Sequence, residues 1–229
     1  MSFFEIFNPG ERFQREQKDL EKSLVLTDAQ GGDGPKPLDL DSGSVVLRVP
    51  GGQPGAEPVA PPPDDKDWTF VLDTPCAECG YLGSAVPLDE LPDRIRAATA
   101  PWPAILSRPD VAVRPAETVW SALEYGCHVR DVLRIFTHRL ELMRAQDNPL
   151  FENWDQDATA LEQRYWEQDP AVVSGELMMA AAENVVGWSS VRAEEWDRPG
   201  RRSNGSVFTV ATLGQYFLHD LVHHLHDVD

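Results

Sequence analysis

The end of the chain is rich in side chains that bind metals. Four of the six histidines fall within eight residues: His219, His223, His224 and His226. On a helix, His219 and His223 lie on one side one turn apart, and His226 follows on the same side at i+7. His224 lies on another face. The spacing therefore allows His219 and His223 to chelate one divalent ion.

A buried metal site needs about three protein ligands, and one helix cannot encircle an ion, so a further ligand should come from a facing helix. His128 is the natural candidate, because it borders the apolar stripe of a long predicted helix. His138 lies ten residues on, roughly 80° around the helix axis. The predicted ligands are thus His128, His219 and His223. The alternative is that His219 and His223 are exposed and that His128 is a hydrogen-bonded core histidine.

The C-x-x-C pair of Cys76 and Cys79 is half of a zinc site. Three interpretations stay open: a structural zinc knuckle completed by His224 or His226, a redox dithiol, and two ordinary loop cysteines. The pair lacks the strand-then-helix context of thioredoxin-like motifs, which disfavours the dithiol. The third cysteine, Cys127, is interpreted as a small core residue.

Apolar residues at three- and four-residue intervals predict the helices that must position these side chains. A first helical region, interrupted or capped by prolines, is predicted at residues 88–106. Long helices are predicted at residues 115–146, 169–196 and from Thr209 or Thr212 to about the end of the chain, with a short one at 158–166. Pro115 and Glu117 favour a helix start, since proline is tolerated in a first turn and glutamate complements the helix dipole. Residues 198–206 are predicted to be a turn-rich loop. Connections of these lengths predict an all-α four-helix bundle with at least one crossover.

Proline and basic residues are unevenly distributed along the 229-residue chain. Residues 34–63 hold eight prolines, which cannot continue a helix or a central strand. All four lysines lie at or before Lys66, and every basic residue after it is arginine. We therefore predict a short N-terminal arm and Pro/Gly-rich linker over residues 1–66, and a helical bundle over residues 67–229.

Composition excludes several classes of function. Acidic residues outnumber basic ones by 38 to 20, a formal charge of -18, which disfavours nucleic acid as a partner. No apolar run reaches the roughly 18–20 residues that span a bilayer, and the first residues lack a signal-peptide pattern. Three cysteines do not form the disulfide framework of a small secreted domain. We expect a cytoplasmic protein with neither a membrane nor a nucleic-acid partner.

Two motifs carry a resemblance to a known family: Trp120-Ser121-Ala122-Leu123-Glu124-Tyr125 followed by His128, and His219-Asp220-Leu221-Val222-His223-His224. Together they resemble the DinB-like helical-bundle superfamily, which includes thiol-dependent transferases and mycothiol-dependent maleylpyruvate isomerase. The resemblance implies a DinB-like four-helix bundle and a divalent metal, zinc or nickel, bound by one histidine of the second helix and a His-x-x-x-His pair of the last. Those positions fall on His128, His219 and His223. The first 66 residues resemble a short domain of unknown function from high-GC Gram-positive bacteria.

An ion held by three histidines keeps an open position and can hold a thiol as its thiolate, which is a nucleophile at neutral pH. The predicted function is thiol S-transfer, in which a low-molecular-weight thiol such as mycothiol attacks a small electrophile. Glu124 and Asp220 are the candidates for orienting a ligand or accepting a proton. The alternative is a non-catalytic, metal-stabilised bundle acting as an interaction or stress-related module. Pairing of two bundles into a homodimer stays open.

Overall fold

Helices make up most of the part of the chain that the computed structural model describes, which is residue 59, residues 61–62 and residues 66–229. The predicted arm and linker at 1–66 thus lie almost wholly outside the described residues. The α-helices are α1 (Leu91–Thr99), α2 (Trp102–Leu106), α3 (Ala122–Ala145), α4 (Gln156–Glu162), α5 (Pro170–Ser189) and α6 (Val210–Asp227). Short 3-10 helices lie at Trp68–Leu72, Gly83–Ala85, Leu88–Glu90, Tyr165–Glu167 and Ala193–Glu195.

Four of these helices form the predicted bundle. Helix α1 packs against α5 and α6, and α3 packs against the same two helices. Helices α1 and α3 therefore lie across the bundle from each other, and the connection between them crosses it. This arrangement confirms the all-α four-helix bundle with a crossover connection. Within the described residues, no helix is both long and apolar enough to cross a membrane.

Aromatic side chains fill the centre of the bundle, where α3, α5 and α6 meet. The rings of Phe136 on α3 and Phe217 on α6 stack with centroids 4.9 Å apart, and Trp188 of α5 stacks on Phe217 at 6.3 Å. All three side chains are buried. Burial of large aromatic side chains contributes much of the energy of a core. The rotation of α6 is therefore set by its packed apolar face.

The start of α3 differs from the prediction. Residues Pro115 to Glu117 do not open the helix, which begins at Ala122 with Ser121 as its N-cap. The Ser121 hydroxyl accepts from the Glu124 amide, and the Glu124 carboxylate accepts from the Ser121 amide, so the pair forms a capping box. This reciprocal pair satisfies two amide donors of the first turn. The helix therefore starts where its donors are satisfied.

Two further element boundaries also differ. Helix α5 ends at Ser189 instead of continuing to Trp196, because a turn and a 3-10 helix follow. The predicted loop at 198–206 contains a hairpin of β2 (Pro199–Arg202) and β3 (Val207–Thr209), turning at Gly205 with a φ of 99°. The two-residue strand β1 (Leu150–Phe151) pairs parallel to β2. Strands this short leave almost no alternating pattern from which to predict them.

Candidate metal centres

Helix α6 carries two interleaved pairs of metal-binding side chains. His219 and His223 form one i, i+4 pair, and Asp220 and His224 form the next. One residue turns a helix by about 100°, so the two pairs project toward different neighbours. The helix starts at a capping box between Thr209 and Thr212.

The first pair meets the C-x-x-C motif. The cysteine–histidine cluster consists of Cys76, Cys79, His219 and His223, and each residue offers a sulfur or ring nitrogen within 4.8 Å of the others. The Sγ of Cys76 lies 3.7 Å from Nδ1 of His223. Cys76, His219 and His223 are buried, and Cys79 is half-buried. Four donors thus converge between the segment before the bundle and α6.

A tight turn at residues 76–81 holds the two cysteines. The Gly80 amide donates to the Cys76 carbonyl at 2.9 Å, and the Cys76 amide donates to the Tyr81 carbonyl at 2.8 Å. Gly80 has a φ of 73°, a backbone conformation that glycine adopts without steric cost. The Tyr81 hydroxyl donates to the Gln215 carbonyl of α6 at 2.5 Å. This bond anchors the turn to the helix that supplies the histidines.

Aromatic rings flank the two histidines. The Trp68 ring lies 5.2 Å from the His219 ring and 5.1 Å from the His223 ring, and the Tyr81 ring lies 5.5 Å from His219. Burial is the main cause, and the nearby His223 the second, that lowers the pKa of His219 to about 4. Burial also lowers the pKa of His223. Both imidazoles are therefore neutral at pH 7. A neutral imidazole keeps the lone pair that a metal requires.

The second pair meets α3. The histidine–aspartate cluster consists of His128, Asp220 and His224, whose donor atoms also lie within 4.8 Å of one another. Oδ1 of Asp220 lies 3.3 Å from Nε2 of His128 and 3.5 Å from Nε2 of His224. The two imidazole rings are nearly perpendicular, with centroids 4.7 Å apart. Two imidazole nitrogens and one carboxylate oxygen therefore point at a common region.

Aromatic and acidic neighbours fix these side chains. The Trp154 ring stacks on His128 at 5.2 Å, and the Trp120 ring lies at 5.4 Å. The Nδ1 of His224 lies 2.9 Å from Oδ2 of Asp227, one turn further along α6. A hydrogen bond from Nδ1 to a carboxylate leaves Nε2 as the acceptor that faces Asp220.

Electrostatics and hydrogen bonding both make this group a candidate metal centre. Burial lowers the pKa of His128 more than nearby Asp220 raises it. Burial alone would raise the pKa of Asp220, but three neighbouring histidines, His128 foremost, hold it at about 2. Nδ1 of His128 is buried without a hydrogen-bond partner among the described residues, and the buried Nε2 of His128 and Oδ1 of Asp220 lie 3.3 Å apart without the geometry of a well-formed hydrogen bond. A buried polar group in that state costs about 1–3 kcal/mol, which a coordinated cation would offset.

The structure regroups the residues predicted as metal ligands. His219 and His223 lie together, as their spacing indicates, but His128 lies with Asp220 and His224 instead. The C-x-x-C motif meets His219 and His223, whereas the predicted partners were His224 and His226. The side chain of His226 is exposed and belongs to neither cluster.

The structure gives Glu124 a structural position. Both of its carboxylate oxygens accept from the Arg114 guanidinium, and Oε2 also accepts from the Ser121 amide and hydroxyl, each at 2.8 Å. These bonds hold the start of α3, so the carboxylate is occupied. Asp220, the other predicted catalytic carboxylate, lies inside the histidine–aspartate cluster.

Two sequence signals for this grouping were present. A C-x-x-C motif combined with an H-x-x-x-H motif has the ligand spacing of a Cys2His2 zinc site. An aspartate and a histidine four residues apart can also chelate one ion from a helix face. Asp220 and His224 each directly follow a residue of the His219–His223 pair, so the more familiar H-x-x-x-H pattern draws attention away from the aspartate–histidine pair.

Comparison with known proteins identifies the fold. A search of curated proteins gives no match. Two solved structures resemble this one. YfiT from Bacillus subtilis, described as "a probable metal-dependent hydrolase with an unusual four-helix bundle topology", has 14% sequence identity and a TM-score of 0.49, covering 73% of this chain and 90% of its own. The mycothiol-dependent maleylpyruvate isomerase has 12% identity and a TM-score of 0.51, covering 64% of this chain and 62% of its own.

Family models cover two parts of the sequence. Residues 6–47 match a family of unknown function (DUF6191). Residues 87–228, which include α1 to α6, match the model of the DinB superfamily. This match spans more than half of the chain and includes the whole histidine–aspartate cluster. The chain therefore belongs to the DinB superfamily.

Proposed function

We propose that this protein is a metal-dependent thiol S-transferase whose divalent ion is held by His128, Asp220 and His224. The observation that carries the proposal is the convergence of three donors from two facing helices, among which Nε2 of His128 and Oδ1 of Asp220 are buried and make no well-formed hydrogen bond in the described part of the chain. This ligand set replaces the predicted trio of His128, His219 and His223.

The donors suit zinc, and nickel is the alternative. Two imidazoles and one carboxylate form a ligand set of catalytic zinc sites, and imidazole also binds nickel well. The His128 side chain is fully buried, whereas those of Asp220 and His224 are 24% and 17% exposed. The cluster is therefore reached from the α6 side. When bound, the ion would lower the pKa of a coordinated thiol so that it is a thiolate at neutral pH.

The surrounding residues orient the ligands. Asp227 fixes the tautomer of His224, and Trp154 and Trp120 hold the ring of His128 and shield it from water. In the proposed reaction the thiol sulfur forms a bond to an electrophilic carbon. The leaving group departs with its bonding electron pair, and the thiol proton passes to solvent. Asp220 is assigned as a ligand, and Glu124 as a residue that positions α3.

Support for a thiol as co-substrate comes from the fold shared with the mycothiol-dependent maleylpyruvate isomerase. The present chain spans 62% of that protein, so the similarity does not extend to its whole length. We propose a mycothiol-like thiol and a small electrophile as the substrates.

The non-catalytic alternative, a bundle held together by metal, is favoured by the buried cysteine–histidine cluster. It does not explain why the side chains of Asp220 and His224 remain partly exposed. A structural ion is best served by donors that exclude solvent, whereas a catalytic ion needs an open position. The two functions therefore predict different responses to an added thiol.

Cobalt-substituted protein provides the test. Adding mycothiol or a mimic such as cysteamine should produce an additional sulfur-to-cobalt absorption band in the wild type. His128→Ala should lose both the ion of this cluster and the response to thiol. His138→Ala, a matched control on the exposed side of α3, should keep both. A wild-type protein that binds cobalt but whose spectrum does not change with thiol contradicts the transferase.

A further inference from the structure

We propose that Cys76, Cys79, His219 and His223 form a second, closed metal site that binds Zn²⁺ and fastens the segment before the bundle to α6. The proposal is independent of the thiol transferase, because it concerns different side chains and a different role. It rests on the donor types, their separations and their burial.

The separations fit one tetrahedral ion. Zinc bonds of about 2.3 Å to sulfur and about 2.0 Å to nitrogen place neighbouring ligands about 3.3–3.8 Å apart. The Cys76 sulfur and Nδ1 of His223 are 3.7 Å apart, and all four donors lie within 4.8 Å of one another. The fourth-ligand position is supplied by the protein itself. Small side-chain movements therefore bring the group to zinc geometry.

Neighbouring groups match those around bound zinc. Nδ1 of His223 faces Cys76, while its Nε2 lies 3.4 Å from the Glu78 carboxylate. A carboxylate on the second ring nitrogen orients a ligating histidine and raises its basicity.

One atom of the cluster points to a ligand by itself. Nε2 of His219 is buried and has no hydrogen-bond partner among the described residues, in a side chain that is only 4% exposed. The rings of His223, Trp68 and Tyr81 lie 5.0 Å, 5.2 Å and 5.5 Å from the His219 ring. A zinc ion shared with the two sulfurs would satisfy it.

Four protein ligands and low exposure indicate a structural ion. Cys76, His219 and His223 are 2%, 4% and 8% exposed and Cys79 is half-buried, so three of the four donors are shielded from solvent. Structural zinc sites are closed by four protein ligands, and catalytic ones keep an open position. The site would join residues 147 positions apart in sequence. It would thereby hold the 3-10 helix Trp68–Leu72 against the part of α6 that carries the histidine–aspartate cluster.

Metal content of the purified full-length chain, with thiols kept reduced, separates this site from the other. Wild-type protein should bind two equivalents of zinc. Cys76→Ser/Cys79→Ser and His128→Ala should each bind one, and the exposed-residue control His226→Ala on α6 should bind two. One equivalent in the wild type, with no loss in the double serine variant, overturns the proposal.

Cobalt absorption gives a second readout. Without any added thiol, the wild type and His128→Ala should both show a sulfur-to-cobalt band, because Cys76 and Cys79 supply the sulfur. The double serine variant should lack that band while retaining the thiol-dependent response of the other site. Absence of the band in folded, cobalt-loaded wild type also overturns the proposal, as does a Cys76–Cys79 disulfide that forms in place of bound metal.

If the serine variants fold poorly, conservative variants can still measure zinc binding at this site. Cys79→His preserves four potential ligands and should retain the second equivalent of zinc. Glu78→Gln removes only the carboxylate behind His223 and should weaken zinc binding at this site by about 10- to 100-fold. Loss of the equivalent in Cys79→Ser but equal retention in Cys79→His supports the proposal. Unchanged affinity in Glu78→Gln together with full retention in Cys79→Ser contradicts it.

Discussion

Gly214 of α6 lies where the helix comes closest to its neighbours, so adding one methyl group tests the packing that positions both metal clusters. A Cβ at this position would lie 2.5 Å from a methyl of Leu91 and 2.9 Å and 3.0 Å from the Trp188 ring. Both neighbours are fully buried. Gly214→Ala must therefore displace a side chain that has little room to move.

The magnitude follows from two opposing effects. Alanine in a helix interior gains about 1 kcal/mol over glycine, whereas overpacking a core costs about 1–3 kcal/mol. Because three contacts fall at or below 3.0 Å, we expect the overpacking cost to lie in the upper part of that range. After the helix-propensity gain is subtracted, Gly214→Ala should lower the free energy of unfolding by about 1–2 kcal/mol. Gly175 of α5 is the control, since a Cβ added there would meet no heavy atom within 4 Å. Gly175→Ala should stabilise the fold by about 0.5–1 kcal/mol.

Urea denaturation at constant zinc concentration measures both variants. With a slope of about 2 kcal/mol per molar urea, Gly214→Ala should lower the midpoint by roughly 0.7 M, and Gly175→Ala should raise it by roughly 0.3–0.5 M. Equal midpoints for the two variants would refute the close packing of α6 against α1 and α5. Reduced occupancy of both metal sites in Gly214→Ala would show that this packing also positions the ligands.

Two predictions concern the groups that hold α3 in place. Hydrogen bonds from Arg192, and then from Arg144 of α3, lower the pKa of Glu195 to about 2, so its ionised form stabilises the folded state above about pH 4.5. Glu195→Gln should therefore lower the free energy of unfolding by about 1 kcal/mol at pH 7, after allowance for solvent screening. Urea titrations should show this difference shrinking as the pH falls from about 4.5 toward 2. The buried Tyr165 hydroxyl donates to Asp131 of α3 at 2.6 Å, so Tyr165→Phe should cost about 1.5 kcal/mol in the same assay, and an unchanged midpoint would contradict that contribution.

The helices could be predicted because their apolar residues recur at helical spacing. The interior of α3 follows this pattern through Phe136, Leu140 and Met143, all of which are buried. Its start was misplaced because Pro115 is an acceptable first-turn residue, while the actual capping box of Ser121 and Glu124 lies six residues later. Several nearby residues can each favour a helix start, and sequence alone does not show which of them begins the helix in the folded protein.

The grouping of ligands depends on information that spacing does not contain. The pattern places His219 with His223 and Asp220 with His224, but the rotation of α6 decides which pair faces His128. That rotation is fixed by packing of buried residues such as Phe217 against two other helices. The meeting of Cys76 with His223 joins distant parts of the chain, so no local pattern predicts it.

Anomalous scattering from crystals of the zinc-loaded chain, recorded on both sides of the zinc edge, locates the bound ions and identifies their ligands. We expect an ion about 2 Å from donor atoms of His128, Asp220 and His224, and a second ion bound by the cysteine–histidine cluster. A single ion bound jointly by His128, His219 and His223, with neither Asp220 nor a cysteine coordinated, would contradict it.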